Sequence, residues 1–179
     1  MRPQIPWKVK LFCGLLWKKP AVFDLTLKLL GNKYGEQDCI SQVYRFDVTN
    51  YYESELGEQI NRSFVSFNRL INPQDLPGIK LETNGIEEEY TVNGKREINI
   101  DPGYMDYDKM VLASAKQGPY KLYLDQGIWG DLTLHYEKGK FIALPWAFAD
   151  FKDGRYEKYF LGVRQRYKSG LKDSCRKQT

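Results

Sequence analysis

Apolar residues recur along this chain with a period of two in some stretches and nearer four in others, and the two patterns take turns. Trp7 to Trp17 holds a continuous apolar run, Leu11 to Trp17, bracketed by Lys8, Lys10, Lys18 and Lys19. It is too short to span a bilayer and predicts a buried strand. Pro20 then opens a helix to about Lys33, with Phe23, Leu27, Leu30 and Tyr34 on one stripe and Gly35 as its stop. Cys39 to Val48 predicts a second strand, followed by a loop through Thr49, Asn50, Tyr51 and Tyr52 to Gly57. Ser63 to Ile71 predicts a third strand. Pro73 to about Tyr90 predicts a helix capped by Asn72, its first turn made irregular by Pro77 and Gly78. Asn93-Gly94 is a turn signal, and Glu97 to Ile100 a fourth strand.

The order strand-helix-strand-strand-helix-strand is that of a ferredoxin-like sheet. Asp101-Pro102-Gly103-Tyr104 then reads as a type II turn, because Pro presets φ and Gly accepts a positive one. Asp106 to Lys116 predicts an added helix. Tyr120 to Leu124, Ile128 to Tyr136 and Phe141 to Leu144 predict an antiparallel strand extension. Gly154 to Lys168 predicts a final helix with Tyr156, Phe160, Val163 and Tyr167 on its apolar stripe, before a frayed tail over 171–179. Strict alternation along Ile128 to Tyr136 puts Ile128, Leu132 and Leu134 on one face. Trp129, Asp131, Thr133 and His135 fall on the other, which reads as an exposed face before it reads as a ligand floor. The expected architecture is α+β. A single domain over 1–170 has a ferredoxin-like βαββαβ core, an added helix, a C-terminal antiparallel strand extension and a final helix. The sheet is expected to be mixed or antiparallel, with its helices largely on one face.

Composition narrows the class. The chain has 179 residues, 42% of them hydrophobic, enough for one real core and crowded for two. Aromatics reach 15% with 13 Tyr, which suits a wet cleft or the margins of a modest core. The net charge of +4 is uneven. Residues 1–19 hold five Lys/Arg and no acid, residues 152–179 hold nine basic against three acidic residues, and the middle is acidic. Three Cys without pair spacing point to a reduced, cytoplasmic protein rather than a disulfide framework. The sequence has no Walker-type loop, dinucleotide fingerprint or nucleophile elbow. Its single His135 excludes a multi-histidine metal site. No metal site and no cofactor is assigned.

The candidate chemistry gathers around Asp101. A carboxylate at a strand end can orient a ligand hydroxyl, hold a metal or act as a base. Tyr104 can donate a hydrogen bond. Lys109 and Lys116 follow closely, Lys80, Thr83 and Asn84 sit on neighbouring positions of one helix, and Tyr52 belongs to a polar aromatic loop. The leading expectation is a Tyr-lined cleft near Asp101 for a small anionic ligand such as a nucleotide. Asp101, Tyr104, Lys109, Lys80, Asn84 and Tyr52 would line it. Binding and turnover are not distinguished. The alternative is a non-catalytic module that binds RNA or protein through its sheet face and basic C-terminal helix. Phe12 and Phe64 on the first and third strands faintly match RNA-stacking motifs, although Arg62 stands where an aromatic is expected. A pocket enclosing Asp101 favours the first reading, and exposed Phe12 and Phe64 favour the second. No membrane partner is expected.

A wider set of landmarks runs through the chain. These are Lys10-Leu11-Phe12, Phe46-Asp47-Val48-Thr49-Asn50-Tyr51-Tyr52-Glu53, Ser66-Phe67-Asn68-Arg69-Leu70 and Ile79-Lys80-Leu81-Glu82-Thr83-Asn84. They continue with Ile98-Asn99-Ile100-Asp101-Pro102-Gly103-Tyr104, Gly127-Ile128-Trp129 and Pro145-Trp146. Together they resemble an uncharacterised bacterial family, domain of unknown function 4416, from about Val9 to Lys168. The resemblance implies no activity, substrate or cofactor. The family pattern carries His-Arg where this chain has Tyr120-Lys121, which weakens an enzyme assignment more than a binding one.

Overall fold

A computed structural model describes residues 2–49 and 52–176. Asn50, Tyr51 and the end of the expected tail, 177–179, lie outside the described residues. In chain order the elements are β1 (Val9–Trp17), α1 (Pro20–Tyr34), β2 (Gln37–Ile40), β3 (Tyr44–Arg45), α2 (Glu53–Leu56) and β4 (Asn61–Ile71). A 3-10 turn (Pro73–Asp75) leads into α3 (Leu76–Glu89) and a small ribbon, β5 (Thr91–Val92) and β6 (Lys95–Arg96). There follow β7 (Ile98–Met105), β8 (Lys109–Ser114), β9 (Lys121–Asp125), β10 (Ile128–Glu137), β11 (Lys140–Ala143), α4 (Ala149–Lys152) and α5 (Glu157–Arg176).

The fold is α+β and forms one domain around an antiparallel sheet. Among the described residues the sheet has nine strands, in the order β11-β10-β8-β7-β1-β4-β2, with β3 added to β4 and β9 to β10. β1 is central and buried along its whole length. Leu11, Cys13, Leu15 and Trp17 meet Leu30 and Tyr34 of α1 and Ile79 and Ile86 of α3. Phe12, on the other face, packs with Phe64 under Phe151, Tyr156 and Phe160 of the C-terminal segment. The helices therefore cover both faces, not largely one. The apolar second face of β1, β4 and β8 explains this, since it needs cover as much as the first. Phe64 alone contacts the rings of Phe151, Tyr156, Tyr159 and Phe160.

Three local expectations are corrected. The span Cys39 to Val48 is not one strand. β2 and β3 are separate short pieces, each pairing with β4. Asp101-Pro102-Gly103-Tyr104 is not a turn but the interior of β7, with Gly14 opposite Asp101 and Phe12 opposite Gly103. Ile100 turns its N–H and C=O away from β1, towards α3. Strand alternation points residue 102 the same way, where a proline lacking N–H breaks no ladder bond to β1. Gly103 is needed for contact, since a Cβ there would lie 2.6 Å from the Val111 carbonyl oxygen and 2.7 Å from the Phe12 ring.

The expected helix from Asp106 to Lys116 is the second half of a hairpin. Asp106 Oδ1 accepts the N–H groups of Asp108 at 2.8 Å and Lys109 at 2.9 Å, which closes the turn. β8 then pairs with β7 on one side and β10 on the other. Its run Met110 to Ala113 is buried on both faces, so it has no polar alternation to mark it as a strand. The final helix extends past Lys168 to Arg176. Among the described residues no helix is long and apolar enough to cross a membrane.

Gly103→Ala should destabilise the protein by about 1–3 kcal/mol, because the obstructing atom is backbone oxygen and cannot swing aside. Urea unfolding measures this, and an unchanged midpoint would contradict the close approach of β7 and β8.

Candidate functional site

The sheet divides between two of its central strands. β7 and β8 pair only through Gly103, Tyr104 and Met105 with Leu112, Val111 and Met110. Before Gly103 and after Leu112 they separate, and α3 lies against the exposed edge of β7. There Lys80 Nζ donates to the Ile100 carbonyl at 2.7 Å, and Glu87 Oε1 accepts the Ile100 N–H at 2.6 Å. The two side chains thus take the place of a neighbouring strand. Their charged groups lie 3.8 Å apart, both buried, and Arg96 links Glu87 onward to Glu55. Burial raises the Glu87 pKa, against the pull of Lys80, the Ile100 amide and Arg96.

Above this division lies a cleft of about 780 Å³. Arg62 of β4 forms one wall. It reaches over β1 at Gly14, where a Cβ would come within 2.8 Å of its Nη1. It meets Asp101 Oδ2 at 3.3 Å and Asp150 Oδ2, on α4, at 3.7 Å. Its guanidinium lies over Phe46 at 5.2 Å and Phe64 at 5.6 Å. Burial works against its charge, but Asp101 and Asp150 more than compensate and its pKa is raised. Tyr156 donates to Asp150 Oδ2 at 2.9 Å.

Asp131 of β10 forms the opposite wall, directly across from Lys121 of β9 and Leu112 of β8. Lys121 Nζ is 3.9 Å from Asp131 Oδ2 and donates to Ser114 Oγ at 2.8 Å. Burial raises the Asp131 pKa, with Lys121 pulling the other way. A bulge between Leu132 and Leu134 shifts the register of β10 against β8. It breaks the strict alternation expected of this strand. Asp131 and Leu134 now share a face, and Asp131 and Thr133 are buried rather than exposed.

Four described side chains keep a buried polar atom with no hydrogen-bond partner: Arg62 Nε, Asn99 Nδ2, Asp131 Oδ1 and Asp150 Oδ1. All four residues line this cleft. Native interiors leave few such atoms, so their concentration along one cavity makes it the candidate site. Two are donors and two are acceptors, and all four atoms are shielded from solvent. Among the described residues no group of three or more His, Cys, Asp or Glu side chains is placed to hold a metal ion.

Of the residues expected from sequence, Asp101, Lys80, Asn84 and Tyr52 line the cleft. Tyr104 and Lys109 do not. Tyr104 follows Asp101 by an odd number of strand positions, so it points to the opposite face and packs beside Val111 and Ala113. Lys109 is held by Asp106 across the hairpin turn. Tyr52 is the one tyrosine among the lining residues, so charged side chains rather than tyrosines define the surface. Sequence reasoning missed Arg62, Asn99 and Asp150 as site residues. Arg62 carried one signal, a charge two residues before the apolar Phe64-Val65 of its strand. Phe12 and Phe64 are completely buried, so the sheet face presents no aromatic platform to RNA there.

Fold and site together define an α+β protein with a charged cleft set in a divided antiparallel sheet. The chain matches the model of the family described as a domain of unknown function (DUF4416) over residues 7–167, and it belongs to that family. No curated protein and no solved structure matches it.

Two outcomes follow from the buried charges. Lys80→Met leaves Glu87 and the Ile100 carbonyl without their buried cation and should cost about 3–5 kcal/mol in chemical denaturation. A loss below about 1 kcal/mol would show that the edge of β7 does not depend on it. Asp131→Asn should raise the melting temperature at pH 7. A raised carboxyl pKa means that the folded wild type keeps its full stability while Asp131 is protonated, below about pH 3.9, and loses it as pH rises through the folded-state pKa. The advantage of the variant should therefore shrink as pH falls. A constant or opposite difference across that range would contradict the burial argument.

Proposed function

We propose that this protein binds a small anionic ligand of the nucleotide or sugar-phosphate class in the cleft between Arg62 and Asp131. One observation carries the reading: every described side chain with a buried, unpartnered polar atom lines this single cavity. Its volume of about 780 Å³ falls within the range of small-molecule sites, about 300–1,000 Å³. Arg62 and Asn99 supply donors for the anionic part of the ligand, with Asn84 and Lys80 beside them. Asp131 and Asp150 accept from its neutral donors. Asp101 orients the guanidinium of Arg62 and borders the same space. The core β7-β1-β4-β2, with α1 and α3 in its connections, supports a ferredoxin-like reading of the scaffold on which this cleft is built.

A thermal-shift screen of nucleotides and sugar phosphates tests the proposal. A ligand at 100 times its dissociation constant stabilises by about 2.7 kcal/mol, equivalent to several degrees in a chain of this size. At least one compound should raise the wild-type melting temperature, and Asp101→Ala should lose most of that shift. If no compound stabilises the wild type, or the variant responds equally, the reading fails.

A further inference from the structure

The wall opposite Arg62 holds a second feature of the cleft that backbone pairing alone does not explain. β10 departs from regular pairing at Leu132 and Thr133, and three backbone carbonyls at that irregularity are secured. Thr133 Oγ1 donates to the Asp131 carbonyl at 3.1 Å, the Leu144 N–H donates to the Thr133 carbonyl at 3.0 Å, and Trp146 Nε1 donates to the Leu132 carbonyl at 2.9 Å. The consequence is positional. Regular alternation would place Asp131 and the buried Leu134 on opposite faces, and the bulge puts both on the cleft side. Asp131, paired with Leu112 and Lys121 just before the bulge, lines that wall 6% exposed, with Oδ1 unpartnered and shielded from solvent and Oδ2 only loosely opposed by Lys121 at 3.9 Å. A buried carboxylate in this state lowers stability, so its place beside the bulge in the cleft wall calls for a reason other than packing.

The chemistry of the partner follows from what Asp131 can accept. An anionic group is repelled. An ammonium would meet Lys121, which already faces the same carboxylate. A hydroxyl is neutral, donates, and suits an acceptor beside a cation. Asp131 stands in register with Leu112 of β8 and Gly103 of β7, and Asp101 lies two residues further along β7 where the strands part. The two carboxylates are therefore more than about 10 Å apart, at about 4.8 Å per strand spacing and about 3.4 Å per residue. A bare phosphate cannot bridge the two walls, whereas a phosphorylated sugar can. We propose that Asp131 is the specificity-determining residue of this cleft, accepting a hydrogen bond from a sugar hydroxyl of the ligand while the Arg62 wall holds its anionic group. This deepens the ligand-binding reading above and rests on it. The substrate class becomes hydroxylated phosphates, with the hydroxyl recognised on β10 and the charge recognised across the division of the sheet.

Isothermal titration calorimetry at neutral pH with ribose 5-phosphate, AMP and inorganic phosphate tests this. Wild type should bind at least one of the two sugar phosphates tenfold or more tightly than inorganic phosphate. Asp131→Asn and Asp131→Ala should each remove at least tenfold of that affinity and leave inorganic phosphate within twofold of wild type. The Asn variant keeps the shape of the wall and is expected to be folded and more stable, so loss of binding in it is not loss of structure. If the variants keep the preference, or wild type does not discriminate sugar phosphates from inorganic phosphate, the role of Asp131 is overturned while ligand binding stands. If none of the three binds wild type, the ligand-binding reading falls and this inference falls with it.

Discussion

The peptide of Ile100, satisfied by two side chains instead of a strand, is the constraint on which the rest of this molecule depends. A strand edge inside a sheet must find partners for each N–H and C=O. If β8 continued beside β7 beyond Gly103, it would supply them, and the gap that forms the cleft would close. Lys80 and Glu87 supply them from α3 instead, one accepting and one donating. This is an expensive solution. A buried ion pair gives up hydration that its mutual attraction only partly restores, and well-packed apolar residues are often more stabilising. Apolar side chains, however, cannot satisfy a peptide group. The pair is there because the sheet divides, and the divided sheet is what gives the chain an interior space with polar walls.

The division also explains why so much charge faces inward. Left of the gap, Arg62 crosses β1 only because Gly14 has no side chain to block it. Two aromatic rings and two carboxylates then hold its guanidinium in place. Right of the gap, Asp131 faces inward against Lys121, just before a bulge in its strand. Each arrangement gives up stability that a plain apolar interior would retain. They fall on two separate halves of the sheet and face one cavity, which is the pattern expected where binding rather than packing determines residue choice.

Much of the scaffold was legible in the sequence. Pro20 and Gly35 bound α1, Asn93-Gly94 makes a turn with positive φ at both residues, and Leu11 to Trp17 is the buried central strand. The errors share a cause. Asp101 to Tyr104 has the composition of a turn, and Met110 to Ala113 that of a helix or a buried strand, and in both places pairing with β1, β7 or β10 decided the outcome. Local chemistry does not encode a partner strand distant in sequence. The site was half legible for the same reason. Asp101, Lys80, Asn84 and Tyr52 come together, but Tyr104 and Lys109 were grouped with Asp101 on a turn that does not form. Asp131 was assigned to an exposed face because that side of the sheet was expected to lie open, whereas the C-terminal segment covers it, and the bulge after Leu132 brings Leu134 onto the same face. Asp150 carries no local signal at all, since its neighbourhood with Arg62 is created by the packing of α4.

That last contact ties the end of the chain to the cleft. α5 covers the apolar face of Phe12 and Phe64, and the preceding Tyr156 sits in that core with only 2% of its surface exposed. Its hydroxyl nonetheless reaches Asp150, the carboxylate that faces Arg62. Arg155, one residue earlier, meets Asp47 at 2.8 Å and the Arg45 carbonyl at 3.1 Å, at the root of the segment that brings Tyr52 to the cleft. The C-terminal segment is therefore more than a lid over hydrophobic surface. The same stretch that buries the second face of the sheet sets the position of a site carboxylate and anchors one rim. The extension beyond β7 and the strands before it form one structural unit, because neither half of the divided sheet has a complete cleft without the other.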